Sequence, residues 1–170
     1  MAAHRVDAAL LVGHSLGGLL VNLFARSFPG EVSGVVLLDA TAPEDVSVMA
    51  AHQSTFQRVA QRVLDAVLGK DKFGETEHVT RTVDLINQAG PFPDIPLIAV
   101  TGGKPAMAWA TPALAARGEH QRQLAALSPR GKQIIASRSG HFPQFTEPEV
   151  VVQAVREAMS VMMNNVDRTT

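Results

Sequence analysis

Apolar residues come in short, separated runs along this chain, and the spacing within each run changes from one to the next. Ala8 to Gly13 reads AALLVG, continuously apolar until it turns on glycine, the pattern of a strand buried on both faces. From Leu16 onward, Leu19, Leu20, Leu23 and Phe24 recur at helical spacing, and Phe28-Pro29-Gly30 supplies the stop. The chain therefore opens as strand, sharp turn and helix. Val32 to Leu38 is a second, β-branched run that ends at Asp39, and Ile95 to Thr101 and Lys132 to Ser137 read as a third and a fourth strand. Helices are predicted over Ala113–Leu127 and over Glu147–Met163. The latter has a start signal in the capping-box pair Thr146 and Glu149 with Pro148 in the first turn, and its stripe is Val151, Val155, Ala158 and Met162. Strands alternating with helices pair in parallel through crossovers, which predicts an α/β fold with an open parallel sheet of about four strands and flanking helices.

Between Pro43 and Pro93 the alternation stops and a long helical pattern intervenes, opening with a second capping-box candidate in Thr41 and Glu44. Val59, Val63 and Val67 with Leu64 and Leu68 form one amphipathic stripe, and Val79, Val83 and Ile86 another. One crossover helix fits in about fifteen residues, so the surplus favours a helical lid inserted above the strand ends. Ordinary crossover helices covering the sheet are the alternative. The chain thus divides into 1–42 with the first two strands, 43–93 as the insertion, and 94–170 with the remaining strands and helices of the same domain.

Composition narrows the function classes. At 170 residues, 46% hydrophobic and 18% charged, the chain has the length of one domain and enough apolar surface to offset the entropy of ordering. Fifteen Lys+Arg against sixteen Asp+Glu give a net charge of −1 without a basic block, which argues against a nucleic-acid partner. No apolar run reaches the ~18 residues of a membrane span. The run after Arg5 is cut short by Gly13, His14 and Ser15, so it reads as structure rather than a secretory leader, and a cytoplasmic location is expected. With no cysteine there is no disulfide framework, thiolate zinc site or cysteine nucleophile. No spacing of the six His resembles a zinc motif, so neither a metal nor another cofactor is expected.

Gly13-His14-Ser15-Leu16-Gly17 matches the G-x-S-x-G nucleophile elbow and sits where that motif must sit, between a buried strand and a helix. The turn is strained; Gly13 and Gly17 are expected to let it close without side-chain clashes, and Ser15 would project above the sheet edge. There the Leu16 amide, at the positive end of the following helix, can donate to a developing oxyanion. The bland alternative is a glycine-rich turn with an N-cap serine. A serine hydroxyl needs a base, and His141, in the turn Ser139-Gly140-His141-Phe142 after the fourth strand, falls at the same sheet edge. His14 adjoins the nucleophile but should point away from its hydroxyl. His4 is terminal, and His52, His78 and His120 fall in predicted helices, where a solvated histidine is usual. The base in turn needs a carboxylate. Asp39 ends the second strand at that edge, whereas the turn after the third, Thr101-Gly102-Gly103-Lys104-Pro105, holds none. Asp94 lies at the wrong end of its strand and Glu119 within a helix; the alternative for Asp39 itself is a cap on the turn before Thr41.

The order Ser15, Asp39, His141 is the one found on the α/β-hydrolase scaffold. GHSLGG, the VVLLDA strand, the IPLIAVTGG strand, SGHF and the closing EPEVVVQAVREAM helix together resemble the carboxyl-terminal half of that family, of the esterase, lipase or haloperoxidase-like type. The resemblance implies a partial α/β-hydrolase fold and a serine hydrolase acting on a small-molecule ester or lactone. A catalytically inert remnant or partner-dependent binding module is the alternative. Family members carry several strands before the nucleophile strand, and a loop among them supplies the second oxyanion amide. The resemblance therefore implies a truncated or split hydrolase, weak in isolation, whose strand 8–12 offers an apolar edge for self-association or for a complementing amino-terminal segment.

Overall fold

Four strands line up side by side in the order in which the chain makes them. In the computed structural model, which describes residues 8–46, 75–104 and 111–166, β1 (Ala9–His14), β2 (Val32–Leu38), β3 (Leu97–Gly102) and β4 (Gly131–Ala136) form one sheet in which every neighbouring pair is parallel. Each strand lies within two residues of its predicted span. Parallel neighbours need crossovers. The described helices are α1 (Gly17–Ser27), α2 (Glu75–Gln88), α3 (Thr111–Ala125), the single turn α4 (Pro143–Thr146) and α5 (Pro148–Val166).

The two central strands are apolar except at Ser33 and Thr101, because both of their faces are covered. Val35, Leu37, Leu97 and Ala99 point into one cluster with Ala25 of α1, Phe92, and Leu124 and Ala125 of α3. Their neighbours Val36, Leu38, Ile98 and Val100, with Ala136, point the other way against Ala154 and Ala158 of α5. The result is a helix, sheet, helix sandwich whose strand ends all open on one edge.

Local details depart from the sequence pattern in three places. On α1 the buried residues are Gly18, Leu19, Asn22 and Ala25, while Leu20 is 62% exposed and Leu16 and Phe24 are exposed as well. The reason is proximity: a Cβ at Gly18 would collide with that of Ala40, so the face against the sheet must be small, and β1 is an edge strand in the described sheet, leaving the outer flank of α1 uncovered by it. The expected Thr41–Glu44 capping box is shifted by one residue. The helical turn 43–46 starts on Pro43, and the Asp45 carboxylate reaches back to the Ala42 amide at 2.9 Å. The Thr146–Glu149 box is not formed: Thr146 Oγ1 donates to the Phe142 carbonyl at 2.9 Å and meets Ser139 Oγ at 2.6 Å, while Glu149 pairs with Arg138. Pro148 does stand first in α5.

Within the inserted segment, α2 packs on α1 through a buried Ile86, as a crossover helix does. Arg26 of α1 strengthens that side, donating to Asn22 Oδ1 and to the Gly90 carbonyl, both at 2.8 Å, with its guanidinium 5.9 Å from the Phe92 ring centre. The stripe from Val59 to Leu68, and with it most of the expected lid, lies outside the described residues. No described helix is long and apolar enough to cross a membrane.

Candidate active site

Ser15 and Asp39, at the carboxyl ends of the adjacent strands β1 and β2, are the two described non-glycine residues with a positive φ, 52° and 41°. A side chain in the left-handed region is strained and persists only where its surroundings over-determine it. Here the determinants are backbone hydrogen bonds. The Ser15 amide donates to the Leu38 carbonyl at 3.2 Å, and its own carbonyl accepts from Gly18 at 3.0 Å and from Thr41 at 2.9 Å. The Asp39 amide donates to Val100 at 2.7 Å. Each strand end is thereby tied to its neighbour, and the two strained residues are set on one edge.

Glycine is required beside Ser15, though not at both expected positions. A Cβ at Gly13 would stand 2.9 Å from the Gly17 carbonyl oxygen and from Val21 Cγ2. At Gly17 it would meet nothing within 4 Å outside its own helix, so the second tight position is Gly18, against Ala40. Leu16 is the residue entering α1 directly after the serine.

His141 comes from the turn that joins β4 to α4. Ser139 fastens this turn through its amide to Ala136 at 3.0 Å and its carbonyl to Lys104 at 2.8 Å, and a Cβ on Gly102 would run into the Gly140 backbone. His141 Nε2 lies 3.0 Å from Ser15 Oγ and its Nδ1 2.7 Å from Asp39 Oδ2. Ser15, His141 and Asp39 therefore form one continuous hydrogen-bonded chain across residues far apart in sequence. Asp39 is 5% exposed, and its Oδ1 accepts the Gly102 amide at 3.1 Å. The turn after β3, which lacks a carboxylate, thus serves the acid with a donor. Asp39 does not cap the turn before Thr41, whose amide goes to Ser15.

The remaining candidates lie outside this hydrogen-bonded chain. Glu119 is exposed and paired with Arg122, whose hydrogen bond and charge hold its carboxyl below the usual carboxylate range. Asp94 is exposed ahead of β3, and His78 is exposed on α2. His4 and His52 lie outside the described residues. His14 donates from Nε2 to the His141 carbonyl at 2.7 Å, with its ring 4.8 Å from that of His141. His120 is not a solvated helix residue: only 13% of its side chain is exposed, and Nδ1 donates to Asp45 Oδ1 at 2.7 Å. Beside it Arg117 donates to Asp39, with Nη2 2.7 Å from Oδ2 and 3.2 Å from the Asp39 carbonyl. Gln121 of the same helix face donates to the Ala40 carbonyl at 2.6 Å. These partners could not be read from local pattern, because a helix face that reaches the site from 75 or more residues away has no short-range signature. Among the described residues no group of His, Asp and Glu is arranged to hold a metal ion.

A parallel sheet between helices, with a strained serine on a strand-to-helix turn and a histidine and carboxylate on the same edge, defines the hydrolase class of α/β proteins. The family profile of the alpha/beta hydrolase fold matches residues 1–114, and the chain belongs to that family. Solved structures agree on the fold. A hydrolase of the alpha/beta fold family from Bacillus anthracis str. Sterne superposes with a TM-score of 0.59 at 17% identity over 89% of this chain and 67% of its own. For a thermophilic esterase from Thermogutta terrifontis the values are 0.51, 19%, 92% and 66%. For an N-acyl homoserine lactone degrading enzyme they are 0.54, 17%, 89% and 68%. The chain spans about two thirds of the length of these proteins, and 61% of another hydrolase of this fold from a lagoon-sediment metagenome. No curated protein matches it.

Proposed function

We propose that this chain carries the catalytic centre of a serine hydrolase of carboxylic esters or lactones. The observation that supports it most is the unbroken contact chain from Ser15 Oγ through His141 to Asp39, at 3.0 and 2.7 Å. In this reading Ser15 Oγ attacks the acyl carbonyl carbon while His141 Nε2 takes its proton, and Asp39 fixes the imidazole tautomer and stabilises the imidazolium. The carbonyl oxygen, now anionic, receives the Leu16 amide at the start of α1. His141 then returns the proton to the departing alkoxide, and water, deprotonated by the same base, releases the acid and restores Ser15. The esterase and the lactone-degrading enzyme among its structural neighbours support the acyl-oxygen substrate class.

A second reading is favoured by the place of β1 at the edge of the described sheet and by the neighbours' greater length: a catalytically inert or partner-dependent chain that folds without turnover on its own. One experiment separates them. A fluorophosphonate should add a single label, found on Ser15 by peptide mass spectrometry and absent from Ser15→Ala. Labelling that persists in Ser15→Ala would sink the assignment; a folded protein that takes no label would favour the second reading.

A further inference from the structure

The Asp39 carboxylate is buried, and a buried carboxylate is costly unless its charge is matched. Three groups donate to it: the Gly102 amide, His141 Nδ1 and Arg117 Nη2. Only one of the three carries a positive charge at every working pH, because a guanidinium does not deprotonate. Arg117 and His141 also share one oxygen, Oδ2, each at 2.7 Å. Arg117 is itself held: it is 12% exposed, Nη2 also donates to the Asp39 carbonyl, and Nη1 lies 3.5 Å from Asp45 Oδ2. Asp45, 1% exposed, is fixed by the Ala42 amide and by His120. One face of α3 thus grips the acid by side chain and main chain together, at a residue whose φ of 41° needs external support.

We propose that Arg117 is the positioning residue of this site, one that holds Asp39 in its strained geometry and offsets its charge, and so opposes the imidazolium that a bare carboxylate would favour at His141. The sign follows from the charges. An uncompensated carboxylate at Nδ1 favours the imidazolium, which cannot accept the Ser15 proton; a guanidinium on the same oxygen opposes that preference. The other groups facing His141 are His14, which bonds its carbonyl from the end of β1, Ser15, and, beyond Arg117, Asp45 and His120. The turn after β3 contributes the Gly102 amide and an exposed Lys104. The inference rests on the serine-hydrolase reading for its kinetic meaning.

The test is the pH dependence of fluorophosphonate labelling at Ser15, run beside NMR titration of the His141 ring proton. Arg117→Met should move the acid limb of labelling and the His141 midpoint to higher pH by about one unit, at the low end of what a nearby charge does. Arg117→Lys should return both most of the way, since it restores charge without the forked grip. A lower rate in both variants with the limb and midpoint unmoved would reduce Arg117 to packing and overturn the proposal. Should Arg117→Met fail to fold, Arg117→Lys against Arg117→Gln reads the same difference. If the wild type takes no label while the midpoint still moves, the hydrolase reading fails and the electrostatic role of Arg117 stands; if neither occurs, both fail.

Discussion

Asp39 concentrates most of the chemistry that a single residue here can carry. It combines burial, a left-handed backbone and contacts to His141, Gly102 and Arg117. Asparagine tolerates the same backbone region, so Asp39→Asn removes the charge while retaining the shape. Steady-state turnover of an activated ester should fall by ~10³ to 10⁴, because the amide favours the wrong imidazole tautomer. Glu119→Gln should leave the rate unchanged, since that carboxylate faces solvent and pairs with Arg122. The reverse pattern would move the acid to α3.

At the scale of elements, the decisive contact is the approach of α1 to the end of β2. It places the strand-to-helix turn of Ser15 against the Ala40–Thr41 segment that follows Asp39, and Gly18 makes it possible. Gly18→Ala should force the helix outward, costing about 1–3 kcal/mol as overpacked cores do, and should slow labelling of Ser15. Gly17→Ala, one residue earlier, points its Cβ into open space and should stay within about 0.5 kcal/mol of the parent. Urea unfolding of the two variants checks the difference. Equal losses would mean that the turn, rather than the helix approach, sets the requirement.

For the whole molecule, α1 and the neighbouring edge strand β1 carry exposed apolar residues that demand an account. Val12 of the edge strand of the described sheet, and Leu16, Leu20, Phe24 and Phe28 along and after α1, are all more than a third exposed. Such an edge templates association. We expect this chain to self-associate with rising concentration, and Leu20→Lys with Phe24→Lys to weaken that association without loss of stability, because neither side chain contributes to the core. Light scattering and thermal melts of both proteins test this. A monodisperse monomer of the parent at all concentrations would overturn it.

The sequence alone determined the four strands, their parallel pairing and the fold class, because strands buried on both faces are largely apolar and glycine and proline mark where they stop, while their order across the sheet came from the structure. It also singled out Ser15, Asp39 and His141, since residues that follow parallel strands must share an edge; the structure puts the three in contact. Tertiary structure decided the rest. Which flank of α1 is buried depends on how near Ala40 lies, a distance no helical period contains. The capping partners moved because Asp45 and Thr146 are drawn to groups outside the capping-box pattern, the Arg117–His120 pair and Ser139. His14, Arg117, Asp45 and His120 became part of the site only when α3 and the turn after β4 folded over the strand ends, since hydrogen bonds between residues more than 70 apart leave no trace in neighbouring residues.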